Sequence, residues 1–160
     1  MNEWNSLFAA TAGASATLTG LLFVGVSINL AKVLATPTLP ERALISIILL
    51  LTILLFSIMM LVPKQSFTVL GIRILVLSII VWGIIVKIDF KNTSALAKEH
   101  RHHYILNVIL DQVAILAYLA SGIAILISGE TGLYWIVSAI AFSFAKAVLD
   151  AWVLLVEINR

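Results

Sequence analysis

Long apolar segments alternate with short polar breaks along the whole chain. Each segment is near the roughly 20 apolar residues that a helix needs to cross a bilayer. None shows the strict alternation of apolar and polar positions that is typical of a membrane-embedded strand. The pattern predicts one all-α domain over residues 1–160, an integral membrane bundle of five transmembrane helices. The predicted spans are residues 7–34, 43–62, 67–90, 104–128 and 133–158.

The breaks contain residues that end or turn helices. Pro40 can stand in the first turn of the second helix, where its missing N–H is not needed. Ser-Gly-Glu-Thr-Gly at 128–132 predicts a tight turn between the last two helices. The connection at 87–103 is the only sizeable extramembrane piece. Within it, Thr93 or Ser94 is expected to cap a helix that continues into the fourth span.

Composition supports a membrane protein and excludes several other classes. Hydrophobic residues make up 62% of the 160 residues and charged residues 11%, with a mean hydropathy of +1.13. Soluble proteins are nearer about 45–50% apolar and about 25% charged. The absence of cysteine excludes disulfides and thiolate metal sites. The cations are spread along the chain, which argues against nucleic-acid binding, and the N-terminus lacks the basic stretch of a cleaved signal peptide.

The placement of Lys and Arg predicts an orientation. Cytoplasmic loops of membrane proteins are enriched in these residues. With the N-terminus outside and the C-terminus inside, Lys64 is the one cation predicted in an outer loop. We therefore expect a multi-pass membrane protein with that topology. The cations that then fall on the cytoplasmic side are Lys32, Arg42, Lys87, Lys91, Lys98, Arg101 and Arg160.

Polar residues form one stripe on each of the last two spans. A charged side chain at a helix centre costs about 2.5–3.5 kcal/mol on insertion scales, so such groups are expected to face protein or water. Residues three, four or seven apart lie on one face of a helix. The stripes are Asn107, Asp111, Tyr118 and Ser121 on the fourth span, and Ser143, Lys146, Asp150 and Glu157 on the fifth.

The two stripes match in depth if the last two helices form a hairpin that closes at 130–131. Asp111 then lies level with Asp150, and Lys146 lies about one turn away. Two carboxylates that share one cation favour binding of a proton or another cation, because like charges repel. The alternative is a buried ion pair that only fixes helix register. The predicted ion or proton site comprises Asp111, Lys146, Asp150, Asn107, Tyr118 and Ser143.

Two faces of the first span contain small or polar residues. Small residues let helix backbones approach closely, so the first face is predicted to pack against another helix. The second face could line a pore in an oligomer, where hydroxyl and amide groups replace part of an ion's hydration. Alternatively, its side chains bond to their own helix backbone. The small face comprises Ala9, Gly13, Ala16 and Gly20, and the polar face Thr11, Ser15, Thr19 and Asn29.

Other polar residues have simpler interpretations. Arg73 lies near the outer end of the third span and is expected to snorkel to the headgroups. His100, His102 and His103 have only Glu99 as a neighbouring ligand, so a basic helix start is favoured over a metal site. No phosphate-binding loop, nucleophile elbow or zinc-protease motif is present in the sequence. We therefore predict no enzyme activity, no cofactor and no metal.

Both ends of the chain carry a family resemblance. The segments WNSLFAATAGASATLTGLLFVGVSINLAKVLATPTLPERAL and LYWIVSAIAFSFAKAVLDAWVLLVEINR resemble a group of small bacterial integral membrane proteins without an assigned activity. Some of those relatives carry a label as modulators of the FtsH membrane protease. The resemblance extends over nearly the whole chain and implies a bacterial inner-membrane protein. It assigns no catalytic or binding residue.

Two functions follow as hypotheses from the sequence. The first is an oligomeric ion or proton channel, or a transport subunit, that uses the predicted Asp/Lys site. The second is a non-conducting regulatory or scaffolding subunit that binds another membrane protein through its first helix. Both hypotheses place the chain in a lipid bilayer, and both are compatible with self-association through the small face.

Overall fold

A computed structural model describes residues 2–36, 39–95 and 101–158. Six α-helices and one 3₁₀ helix make up the regular structure of these residues, and no strand occurs among them. The prediction of an all-α chain is confirmed. The helices are α1 (Asn2–Ile28), α2 (Leu30–Ala35), α3 (Leu39–Leu61), α4 (Phe67–Ala95), α5 (Arg101–Ser128), the 3₁₀ helix (Gly129–Gly132) and α6 (Leu133–Ile158).

Four helical stretches are long and apolar enough to cross a membrane. The last of them has 53 residues, because the 3₁₀ helix joins α5 to α6 without a break. At 1.5 Å per residue, α5 and α6 are each about 40 Å long. Each is therefore long enough for a bilayer by itself, and the long helices are the five that the apolar segments predict. The four stretches are Trp4–Ile28, Leu39–Leu61, Phe67–Asn92 and Ile105–Glu157.

Several helix ends differ from the predicted spans, and the largest difference is at the end of α1. α1 ends at Ile28, and Asn29 leaves the helical region with φ −108° and ψ 20°. The Asn29 side-chain amide donates a hydrogen bond to the Gly25 carbonyl oxygen at 3.1 Å, the local competition with the backbone by which asparagine interrupts helices. The predicted single span 7–34 is thus divided into α1 and the short α2.

α4 continues beyond its predicted end to Ala95. Thr93 and Ser94 therefore lie in the last turn of α4, and the prediction that one of them caps the next helix is wrong. The buried face of α4 continues through Asp89 to Asn92, which lies two residues beyond the predicted end of the span.

The chain divides into two compact units. Unit 1 contains residues 1–64 and 143–160, and unit 2 contains residues 65–142. The boundary falls within α6, whose first ten residues belong to unit 2.

In unit 1, α1 and α3 pack antiparallel. Thr11 contacts Ser57, and Ser15 contacts Leu50, so residue numbers fall on α3 as they rise on α1. Most of the remaining α1 and α3 interior is aliphatic and aromatic, although Ser46 and Thr52 on α3 are buried as well. Large side chains buried in these two helices include Phe8, Leu22, Leu49, Ile53 and Phe56.

In unit 2, two glycines let α4 and α5 approach closely. A Cβ atom at Gly71 would lie 2.7 Å from Cγ of Leu126, and one at Gly122 would lie 2.8 Å from Cγ of Leu75. Both distances are shorter than real contacts allow, so with any larger residue the facing leucine side chain or the helices would have to shift. Residue numbers rise on α4 as they fall on α5, which shows that this pair is antiparallel as well.

The predicted tight turn at 128–132 is present. Gly129 adopts a left-handed conformation with φ +58°, which glycine tolerates and most residues do not. At Gly132, a Cβ atom would lie 2.5 Å from the backbone nitrogen of Ile125. The chain therefore folds back onto the last turns of α5, and both glycines are needed for that path.

Candidate functional site

An ion pair lies within the second half of α6. The Lys146 ammonium and the Asp150 carboxylate form a salt bridge between positions i and i+4 of the helix. Lys146 is 3% exposed and Asp150 is 4% exposed. A buried charge is tolerated when an opposite charge compensates it, and removal of one partner is strongly destabilising. The pair belongs to unit 1.

The polar stripe on α5 is also buried. The Asn107 side-chain amide donates to Oδ2 of Asp111 at 3.2 Å, and Asp111 is 0% exposed. Tyr118 and Ser121 follow on the same face, and both are buried. The Ser121 hydroxyl donates to the Tyr118 carbonyl oxygen at 2.8 Å. This stripe belongs to unit 2.

The remaining predicted member is Ser143, which lies in unit 1 and is fully buried. Its hydroxyl oxygen has no hydrogen-bond partner among the residues that the structure describes. The structure thus brings Lys146 together with Asp150, and Asn107 together with Asp111, each pair within its own unit. The predicted meeting of Asp111 with Lys146 and Asp150 stays a prediction.

A second polar group, which the sequence reasoning missed, joins α4 to α5. Nε1 of Trp82 donates to Oε1 of Gln112 at 2.8 Å, and Nε2 of Gln112 donates to Oδ2 of Asp89 at 3.0 Å. An indole N–H can only donate, so the Gln112 carbonyl oxygen must face Trp82 and its NH₂ must face Asp89. Asp89 is 3% exposed, and Asn92 one turn further along α4 is buried as well.

The helical spacing of α4 contains the signal for this group. Ser78, Ile85, Asp89 and Asn92 are separated by seven, four and three residues, and all four are buried. Residues 87–103 are predicted from the sequence to form an extramembrane connection. Asp89 and Asn92 were therefore not considered as part of a buried stripe on α4. Nothing in the sequence alone pairs Asp89 with Gln112, which lies 23 residues away.

The polar face of α1 is used in hydrogen bonds. The Ser15 hydroxyl donates to the Leu50 carbonyl oxygen of α3 at 3.0 Å, and the hydroxyls of Thr11 and Ser57 lie 2.9 Å apart. The Thr19 hydroxyl donates to the Ser15 carbonyl oxygen at 2.7 Å, and Asn29 bonds within its own helix as described above. These contacts favour the hydrogen-bonding interpretation of this face over pore lining.

The small face of α1 is open. All four of its residues are exposed, and no described atom lies within 4 Å of a Cβ built at Gly13 or Gly20. α1 is also the least buried of the four candidate spans. Within unit 1, no described helix covers this face, so its predicted packing against a helix stays a prediction. The face is Ala9, Gly13, Ala16 and Gly20.

Arg73 and the histidine tract complete the predicted polar residues. Nη1 of Arg73 donates to Oε1 of Gln65 at 3.5 Å, which turns the guanidinium toward the N-terminal end of α4. This direction fits the expected snorkelling. The side chains of His100, His102 and His103 lie outside the described residues. Within the described part of the chain, no group of three or more His, Cys, Asp or Glu side chains could hold a metal ion.

No protein family, curated protein or solved structure matches the chain. The resemblance to small bacterial membrane proteins therefore stays a prediction. The fold itself defines a class, an all-helical chain whose long helices are apolar enough to cross a membrane.

Proposed function

We propose that this chain is a multi-pass protein of the bacterial inner membrane, with its N-terminus outside and its C-terminus inside, that forms an oligomeric pathway for protons or small cations. One observation carries the proposal: charged side chains are buried within helices that are otherwise apolar. Lys146, Asp150, Asp111 and Asp89 are each less than 5% exposed. Intramembrane ionisable residues are rare, and they commonly mark ion or proton routes.

The hydrogen bonds of the two carboxylates in unit 2 support this chemistry. Asp111 and Asp89 each accept a bond from a side-chain amide, Asn107 and Gln112 respectively. An amide donor stabilises a carboxylate without neutralising its charge. Such a carboxylate can still take up a proton or contact a hydrated cation. Asp111 is therefore assigned as the acceptor for the transported ion, with Asn107 holding one of its oxygens in place.

The ion pair in unit 1 is a second group of buried charges, and it supports the proposal independently of unit 2. Lys146 and Asp150 together bring no net charge, so their helix can remain in an apolar environment. A cation that reaches the pair would compete with Lys146 for the Asp150 carboxylate, and its passage would be linked to rearrangement of the pair. Tyr118 and Ser143 are the hydroxyl groups proposed to contact the ion along this route.

Liposome flux tests the proposal. Purified protein in proteoliposomes is expected to raise proton or potassium flux under an imposed gradient. Asp111→Asn should return the flux to that of protein-free vesicles, because an uncharged amide neither accepts a proton nor neutralises a bound cation. Glu130→Gln, the same chemical change at an exposed position of the turn, serves as the control and should conduct normally. Tight vesicles with wild-type protein would contradict the proposal.

A second function, a non-conducting regulatory or scaffolding subunit, is favoured by the open small face of α1. Gly13 and Gly20 expose helix backbone that a neighbouring transmembrane helix can approach closely. Crosslinking in native membranes would recover a partner that is lost in Gly13→Leu and Gly20→Leu, while both variants remain folded. Recovery of such a partner, together with no increase of proton or potassium flux in proteoliposomes, would favour this function over ion conduction.

A further inference from the structure

An apolar cavity of about 180 Å³ lies in unit 1, walled by α1, α3 and α6. Its walls are aliphatic side chains together with one glycine. They include Leu22 and Gly25 on α1, Leu50 on α3, and Ala147 and Leu155 on α6. Leu50 and Ala147 are buried, whereas Leu155 is exposed. The cavity therefore begins in the interior of unit 1 and opens at its surface.

The chemistry of the walls excludes a polar occupant. No lining residue has a polar side chain, and an apolar cavity of about 150 Å³ is known to stay dry and to bind small hydrocarbons. Gly25 deepens the cavity, because no atom lies within 4 Å of a Cβ built at this position. A hydrocarbon chain can therefore reach the backbone of α1 at Gly25.

Two cations lie on the elements that continue from the cavity walls. Lys32 on α2 follows Gly25 by seven residues, and Arg42 on α3 precedes Leu50 by eight. At 1.5 Å per residue, Arg42 lies about 12 Å along α3 from Leu50. Lys32 lies on α2, beyond the break at Asn29. α2 packs on α3, with Val33 buried beside Lys32. Lys and Arg near a membrane surface attract anionic lipid headgroups.

We propose that this cavity seats one acyl chain of an anionic phospholipid whose phosphate is held by Lys32 and Arg42. The hydrocarbon fills the space between the three helices, and the headgroup lies at the corner of α2 and α3. Unit 1 also contains the carboxylates Glu41 and Glu157, which repel an anionic headgroup. We therefore expect only a several-fold preference for an anionic over a zwitterionic headgroup. The inference rests on the proposed membrane location and is independent of ion conduction.

Native mass spectrometry of the delipidated protein in detergent tests the site. Phosphatidylglycerol and phosphatidylcholine with identical chains are titrated separately, and bound lipid is counted per protein chain. Wild type should retain one phosphatidylglycerol per chain. Gly25→Leu should weaken binding of both lipids by about tenfold or more, since the new side chain excludes several methylenes from their seat. Gly83→Leu, the same change at another glycine with open space around it, should bind like wild type.

The headgroup is tested separately. The double variant Lys32→Gln, Arg42→Gln should lose the several-fold preference for phosphatidylglycerol and keep its affinity for phosphatidylcholine. Equal binding of both lipids to wild type would overturn the anionic assignment. Equal binding to Gly25→Leu and Gly83→Leu would overturn the cavity as the seat.

Folding and other occupants are controlled in the same series. Circular dichroism reports whether Gly25→Leu is folded, and Ala151→Leu, at another lining position, provides a second way to fill the cavity. A change of oligomeric state in both cavity variants, with no lipid bound to wild type, would assign the cavity to a second protein chain and overturn the proposal. Liposome flux is read in parallel, so loss of lipid binding and loss of conduction are distinguishable.

Discussion

The indole of Trp82 and the side-chain amide of Gln112 are joined by a hydrogen bond of 2.8 Å between α4 and α5. Because the indole can only donate, this bond fixes the orientation of the amide and directs its NH₂ group at Asp89. One uncharged side chain thus holds a buried carboxylate on the neighbouring helix. The relationship makes Gln112 the residue through which Trp82 positions Asp89.

Replacing Gln112 should weaken the α4 and α5 pair. Gln112→Leu removes both hydrogen bonds and leaves the Asp89 carboxylate without this donor. Interhelical hydrogen bonds in membrane proteins contribute about 0.6–1.7 kcal/mol each, so the free energy of unfolding should fall by about 1–3 kcal/mol. Denaturant unfolding in micelles measures the change. Trp82→Phe removes one of the two bonds, so it should lower the free energy of unfolding by less. An unchanged stability of Gln112→Leu would refute the role of this network.

The glycine contact between α4 and α5 makes a matched pair of predictions. Gly122→Ala places a methyl group 2.8 Å from Cγ of Leu75, and overpacking of this kind costs about 1–3 kcal/mol. Gly83→Ala meets no atom within 4 Å, so it should leave stability unchanged or raise it by up to about 1 kcal/mol through helix propensity. The same unfolding measurement compares them. Equal effects of the two substitutions would argue against close packing at Gly122.

The ion pair of α6 predicts a non-additive mutant cycle. Lys146→Met leaves the Asp150 carboxylate buried without this cation and should lower the free energy of unfolding by about 3–5 kcal/mol. The double variant Lys146→Met, Asp150→Leu should recover most of that stability. The double variant also separates the two interpretations of the pair. If it is folded and conducts like wild type, the pair only fixes the structure. If the double variant is folded but does not conduct ions, the pair belongs to the ion site.

The contact between α1 and α3 is tested at Ser15. Ser15→Ala removes the hydrogen bond to the Leu50 carbonyl oxygen and should lower the free energy of unfolding by about 0.5–1.5 kcal/mol. The exposed Thr17 bonds to the Gly13 carbonyl oxygen of its own helix, so Thr17→Ala should change stability by less than about 0.5 kcal/mol. A larger loss for Thr17→Ala than for Ser15→Ala would show that the wrong face of α1 has been assigned to α3.

Local patterns in the sequence determined much of this protein. The long apolar segments predicted an all-helical fold. For α6, the predicted span and the observed helix coincide at 133–158. The turn at 128–132 follows from Gly129 and Gly132, which satisfy backbone requirements that few other residues meet. Lys146 and Asp150 could be paired in advance because positions i and i+4 of one helix are neighbours wherever that helix packs.

Only the tertiary structure decided which faces meet. Periodicity places residues on a face of a helix, but it does not say which face turns toward another helix. On α1, the face with Ser15 packs on α3 and the small face with Gly13 does not. The bond between Gln112 and Asp89 and the close approach at Gly122 likewise join residues far apart in the chain. Such contacts depend on the docking of two helices, which no local pattern specifies.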